Sequence, residues 1–151
     1  MDLINEKLIK LDIEKNKKEE IIRELAGLID KENRLNDYEK YVSQVLDREN
    51  MTSTGIGFGI AIPHGKCSAV KIPTIAFGRL TGEVEWESLD DKPVQAVFLL
   101  AVPEEAASNE HLKILAALSR KLLDESFREN LLKINSKQGL LKLFSDVFDK
   151  I

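Results

Sequence analysis

The stretch Thr52-Ser53-Thr54-Gly55-Ile56-Gly57-Phe58-Gly59-Ile60-Ala61-Ile62-Pro63-His64-Gly65-Lys66 decides how this chain is read. Its glycines fall at alternate positions and break any helix, the apolar side chains Ile56, Phe58, Ile60 and Ile62 alternate with them, and Pro63 forces Ile62 into an extended conformation. The expectation is a strand leading into a loop at His64-Gly65-Lys66. No Gly-Lys-Ser/Thr follows, and the glycines do not open a helix, so the spacing excludes both the Walker A and the dinucleotide fingerprints. What alternate glycines do allow is close backbone approach along one face of a strand.

Outward from this segment the pattern is that of an α/β domain. On the N-terminal side a short strand is expected around Leu8 to Ile13, then a helix carrying Ile21, Ile22, Leu25, Leu28 and Ile29, with Asn16 and Glu19 as its start signal. A second helix places Tyr38, Tyr41, Val42, Val45 and Leu46 on one face, which runs out at Asp47, Arg48 and Glu49. On the C-terminal side strands are expected at about Thr74 to Leu80 and Val84 to Trp86. Val94 to Val102 is a continuous apolar run, as suits a strand buried on both faces. Three helices follow: one after Pro103, capped by Ser108 or Asn109 and carrying Leu112, Ile114, Leu115, Leu118, Leu122 and Leu123, then Ser126 to Ile134 and Lys137 to Phe148. The implied architecture is one domain over residues 1–151, a mixed sheet of about four to five strands sandwiched between helices.

Composition narrows the function. The chain has 151 residues, 43% of them hydrophobic and 32% charged, enough to bury a core without a second domain. A net charge of −4 with no broad basic surface argues against a nucleic-acid partner. No apolar run approaches the roughly 20 residues that span a bilayer, so direct membrane insertion is not expected, and the N-terminus lacks the pattern of a secretion signal. The single cysteine, Cys67, cannot form an internal disulfide, and a reducing cytoplasm is the expected location. Met1 and the complete helical ends read as those of a free-standing subunit.

Three side chains stand out. His64 follows a proline and precedes a glycine, where its backbone is held stiffly and its ring is reachable. His111, the only other histidine, falls in the first turn of a helix, whose free N–H groups favour an anion and keep a nearby imidazole neutral. A core or cap histidine is the other reading of that position. Arg48, just before the glycine segment, can hold phosphate oxygens in a fork, or simply serve the C-terminus of its own helix.

Arg48-Glu49, then Ser53-Thr54-Gly55-Ile56-Gly57, then Gly59-Ile60-Ala61-Ile62-Pro63-His64-Gly65, and later Asn109-Glu110-His111-Leu112 resemble, in order and spacing, the fructose/mannitol-type IIA domains of the bacterial sugar phosphotransferase system. That family includes the nitrogen-related regulatory IIA proteins. The resemblance covers nearly the whole chain; Phe58 stands where asparagine is commonest. It implies that His64 is the phosphorylated residue, that His111 and Arg48 help hold the phosphoryl group, and that Thr54 and Gly65 are binding positions. It also implies transfer from the phosphohistidine of the carrier protein HPr to His64 and on to a cysteine of a IIB component, coupled to a membrane IIC component, with neither cofactor nor metal. A regulatory output of the same phosphohistidine is the alternative. A metal site built on His64, Cys67, Glu110 and His111 is a weaker one, because the spacing lacks a second cysteine or a His-x-x-x-His pair. Which sugar is served is not written in a IIA sequence, because selectivity resides in the membrane component.

Overall fold

The computed structural model describes residues 3–105 and 110–149, with the backbone alone for Glu110 and His111. A single 3₁₀ turn, Glu6–Leu8, capped by the Asn5 side chain, leads into strand β1 (Ile9–Ile13). Two helices follow, α1 (Lys18–Lys31) and α2 (Tyr38–Met51). The glycine segment forms β2 (Gly55–Gly57), β3 (Ile60–Ala61) and β4 (His64–Cys67), and the long strands are β5 (Thr74–Val84) and β6 (Val94–Pro103). Helices α3 (Glu110–Lys121), α4 (Glu125–Lys133) and α5 (Lys137–Phe148) complete the described chain.

The apolar run at Val94 becomes the organising strand. β6 pairs antiparallel with β5 on one edge, and β5 in turn pairs parallel with β1. Its other edge takes β3 and β4 in parallel, and β2 folds back antiparallel on β3. Ile60 lies opposite Ala96 and His64 opposite Leu100, so both partners sit 36 positions ahead and the register is unbroken across Ile62-Pro63. β3 and β4 are therefore one lane, interrupted where proline has no N–H to give. Among the described residues six strands thus fill five positions; the sheet is mixed, as the sequence pattern predicts, with one strand more than the four to five expected.

Alternation along β6 explains its uninterrupted hydrophobicity. Val97, Leu99 and Ala101 join the core under α1 and α2, whereas Ala96, Phe98 and Leu100 join the core under α3, α4 and α5. A strand covered on both faces has no polar side to show. In the second core Phe77, Phe98 and Phe144 meet with ring centroids 4.9, 5.1 and 5.4 Å apart, locking α5 to the sheet.

The structure corrects several details. Leu8 belongs to the 3₁₀ turn rather than to β1. Asn16 does not cap α1: the capping position is Lys17, which makes no side-chain bond, and Lys18 turns inward to Glu49. The two strands expected between Thr74 and Trp86 are one, because Thr81, Gly82 and Glu83 stay extended on the solvent side while pairing resumes at Val84. The Ile56–Ile62 segment is a hairpin rather than a single strand. Gly57, Phe58 and Gly59 turn it with φ of 105°, 60° and 77°, in the left-handed region where glycine is at ease. Ser108 and Asn109 lie outside the described residues. No described helix is long and apolar enough to cross a membrane.

Candidate functional site

His64 opens β4 rather than sitting in a loop, and that difference gives its ring a fixed direction. In a strand, successive side chains alternate faces. Gly65 and Cys67 are buried on the α1/α2 side, while His64 and Lys66 are half-buried. The cross-strand partner of His64, Leu100, packs in the core under α3, α4 and α5. The imidazole therefore leaves the sheet on the α3 face. Because Cys67 is three residues along the strand and buried in the opposite core, the two cannot ligate one ion, and the metal reading loses its nearest pair. Among the described residues no group of three metal-binding side chains occurs.

Two contacts fix the backbone under His64. Leu100 N–H donates to the Pro63 carbonyl at 3.0 Å, and the buried Tyr41 hydroxyl donates to the Leu100 carbonyl at 2.8 Å. Gly65 lets α2 lie flush on β4: a Cβ there would stand 2.9 Å from Val45 Cγ2 and 3.2 Å from Tyr41 Cε1. Histidine Nδ1 lies 3.0 Å from the Ile62 carbonyl oxygen. A carbonyl can only accept, so Nδ1 carries the proton and, in the neutral ring, Nε2 carries the nucleophilic lone pair.

The other positions singled out in the sequence are distributed around this strand. His111 is in the first turn of α3, which packs Ile114 and Leu118 on the same face of the sheet as His64, but its side chain lies outside the described residues. Arg48 is in the last turn of α2 and donates to the Thr52 carbonyl at 2.8 Å, closing the end of that helix. Thr54 is buried, and both its backbone N–H, at 2.8 Å, and its hydroxyl donate to the Glu49 carboxylate. Trp86 Nε1 donates to the same hydroxyl at 3.4 Å.

Glu49 is the residue that sequence reasoning missed. By residue type the polar end of the α2 face begins at Asp47, yet Glu49 is only 5% exposed, pairs with Lys18 Nζ at 3.2 Å and receives Thr54. Lys18 in turn stands 5.3 Å above the Trp86 ring. The available signal was helical spacing, since Glu49 lies four residues after the buried Val45. Phe58, by contrast, lies away from His64: four register positions, about 13 Å of strand, separate Ile60 from His64, and Phe58 is beyond Ile60 at the hairpin tip. It is half-exposed, and the Arg128 guanidinium stacks 4.3 Å from its ring.

A mixed sheet with helices on both faces, carrying on one of its strands an imidazole hydrogen-bonded at Nδ1 to the backbone, defines the class as a small single-sheet α/β domain. Residues 2–147 match the family described as phosphoenolpyruvate-dependent sugar phosphotransferase system, EIIA 2, and the chain belongs to that family. It is 42% identical over 144 residues to the fructose-specific EIIABC component of Bacillus subtilis, a match covering 95% of this chain and 22% of that protein. Among solved structures it is similar to the nitrogen regulatory protein IIA-Ntr of Neisseria meningitidis (TM-score 0.87, 34% identity, 94% of this chain and 96% of that one). It is also similar to the mannitol enzyme IIA of Escherichia coli, solved in complex with phosphorylated enzyme IIB (TM-score 0.80, 28% identity, 95% of this chain and 97% of that one). Membership in this family makes phosphotransfer the general activity of the chain.

Proposed function

We propose that His64 is the phosphoryl carrier, accepting the group at Nε2 from the phosphohistidine of HPr and passing it to a cysteine of a IIB component in the cytoplasm. The observation that carries this reading is the Nδ1–H bond to the Ile62 carbonyl, which leaves the Nε2 lone pair to attack. The Nε2–P bond forms as the P–N bond of the donor breaks, and the donor imidazole leaves with the electron pair. Charge that develops on the His64 ring is offset at Nδ1–H by the Ile62 oxygen. In the second step a cysteine thiolate attacks phosphorus and the Nε2–P bond breaks. No nucleotide, metal or cofactor enters either step.

Phosphoryl transfer proceeds through a loose, highly charged transition state, so positioning and positive electrostatics supply most of the catalysis. His111 at the N-terminus of α3 and Arg48, which uses one of its five N–H donors on Thr52, would hold the phosphoryl oxygens. Gly65 keeps the strand close against α2, and Thr54 ties the hairpin to the end of that helix. Transport of a sugar through a membrane IIC component is supported by the 42% identity to a fructose-specific component. A regulatory role is the second reading, favoured by the TM-score of 0.87 to IIA-Ntr; transfer to a cognate IIB protein separates the two.

The test is incubation with enzyme I, HPr and labelled phosphoenolpyruvate. The wild-type protein is expected to take up acid-labile label, and His64→Ala to take up none while keeping its circular dichroism spectrum. Label on the alanine variant would refute the assignment.

A further inference from the structure

We infer that Glu49 is a positioning residue for His64, acting through a chain of hydrogen bonds that runs from the end of α2 to the imidazole. The inference rests on the proposed role of His64, but its principal readout does not. The Glu49 carboxylate receives the Thr54 N–H at 2.8 Å and the Thr54 hydroxyl. The Thr54 carbonyl receives the Ile62 N–H at 3.0 Å, and the Ile62 carbonyl receives His64 Nδ1–H at 3.0 Å. One buried anion thus sets the backbone of β2, β2 sets Ile62, and Ile62 sets the tautomer of the ring.

A buried carboxylate is costly unless its oxygens are satisfied. Here the partners are two donors of a single residue and the Lys18 ammonium, 3.2 Å away. Thr54 is held at backbone and side chain together, so it cannot rotate without leaving a buried charge short of donors. This is a stiffer tether than one neutral bond supplies, because hydrogen bonds to an ionised acceptor are about twice as strong. The hairpin needs one. β2 and β3 are three and two residues long, and their register shifts between Gly55 and Gly57. Strand β6 fixes the chain on either side, at Ala61 and His64, and the tether to Thr54 sets the Ile62 peptide between them in line with Nδ1.

With only two histidines in the chain, imidazole nitrogen shifts measured by NMR assign the tautomer of each ring directly. In the wild type His64 is expected with Nδ1 protonated and Nε2 unprotonated. In Glu49→Ala the Nε2–H form of His64 should appear as a substantial population while the His111 signals stay in place. Phosphorylation by phospho-HPr should lose at least about tenfold in kcat with little change in KM, since binding is kept and orientation is lost. Glu49→Gln, nearly the same size, satisfies only part of the Thr54 donors and should fall between the two. If the alanine variant does not fold, the glutamine variant decides the matter. A folded variant whose tautomer populations match the wild type overturns the inference, whatever its activity. Failure of His64→Ala to abolish labelling would overturn the carrier assignment instead, and leave the tautomer measurement readable.

Discussion

Gly65 has no side chain because the space for one is taken. A methyl group would press on Val45 Cγ2 at 2.9 Å and on the Tyr41 ring at 3.2 Å, and neither can retreat, since both are fully buried between α2 and β4. Gly65→Ala is therefore expected to cost about 1–3 kcal/mol, the usual penalty of overpacking, read as a lower urea midpoint. Adding Val45→Ala should return part of it, and a full-strength Gly65→Ala protein would mean that α2 is not seated as described. His64, one residue earlier, owes its fixed position to the same contact, because the helix that forbids a methyl at 65 also holds the strand from below. Glu49 shows the converse: a charged side chain at the nominal polar end of a helix turns inward because Lys18 and Thr54 wait there.

At the scale of elements, the C-terminal end of α4 is capped by an arginine from the sheet, while its own Asp124 caps the N-terminal end. Arg79 on β5 is 8% exposed and donates to the carbonyls of Ile134 at 2.6 Å and Leu131 at 3.4 Å, and to Asn135 Oδ1 at 2.7 Å. These are carbonyl acceptors at the negative end of the helix dipole, so the cation serves as a cap supplied from the sheet. Arg79→Met keeps much of the stem and removes every donor. It should lose about 1–3 kcal/mol in urea unfolding, with amide exchange quickening in α4 before β5. A loss below about 0.5 kcal/mol, the range of an ordinary surface change, would mean that water replaces the cap at no cost. The hairpin at Phe58 is tied to the same helix by the Arg128 stack, so α4 and its C-terminal end contact both the hairpin and β5.

Over the whole molecule, one sheet divides two apolar cores, and a phenol in one of them is tied to the backbone of that sheet. Tyr41 packs in the core under α1 and α2, yet its hydroxyl reaches the backbone of β6. Burial raises its pKa well above the ordinary value of 10.0. In the unfolded chain the phenol ionises near that value, whereas in the folded protein it stays neutral. The linkage therefore contributes fully below pH 10.0 and is withdrawn as pH rises above it, because the unfolded state alone releases the proton. Tyr41→Phe should lose stability near neutral pH, by about 0.5–1.5 kcal/mol for the missing bond. Its urea midpoint should then fall less steeply than the wild type's above pH 10.0; parallel curves would show that the phenol ionises freely in the fold.

Periodicity alone determined the two N-terminal helices, the central buried strand at Val94 and the helix over Lys137–Phe148, because hydrophobic spacing is a local property that each segment carries by itself. The motif around His64 likewise pointed to the family without coordinates. Pairing was decided only in three dimensions. His64 lies in a strand because β6 offers an edge to it, Thr81–Glu83 stay extended because Val84 finds Val94, and Glu49 is buried because two residues distant or out of phase in the sequence meet it there. Such outcomes depend on partners brought together by folding, and a chain read one residue at a time carries the valence of each group but not the neighbour that satisfies it.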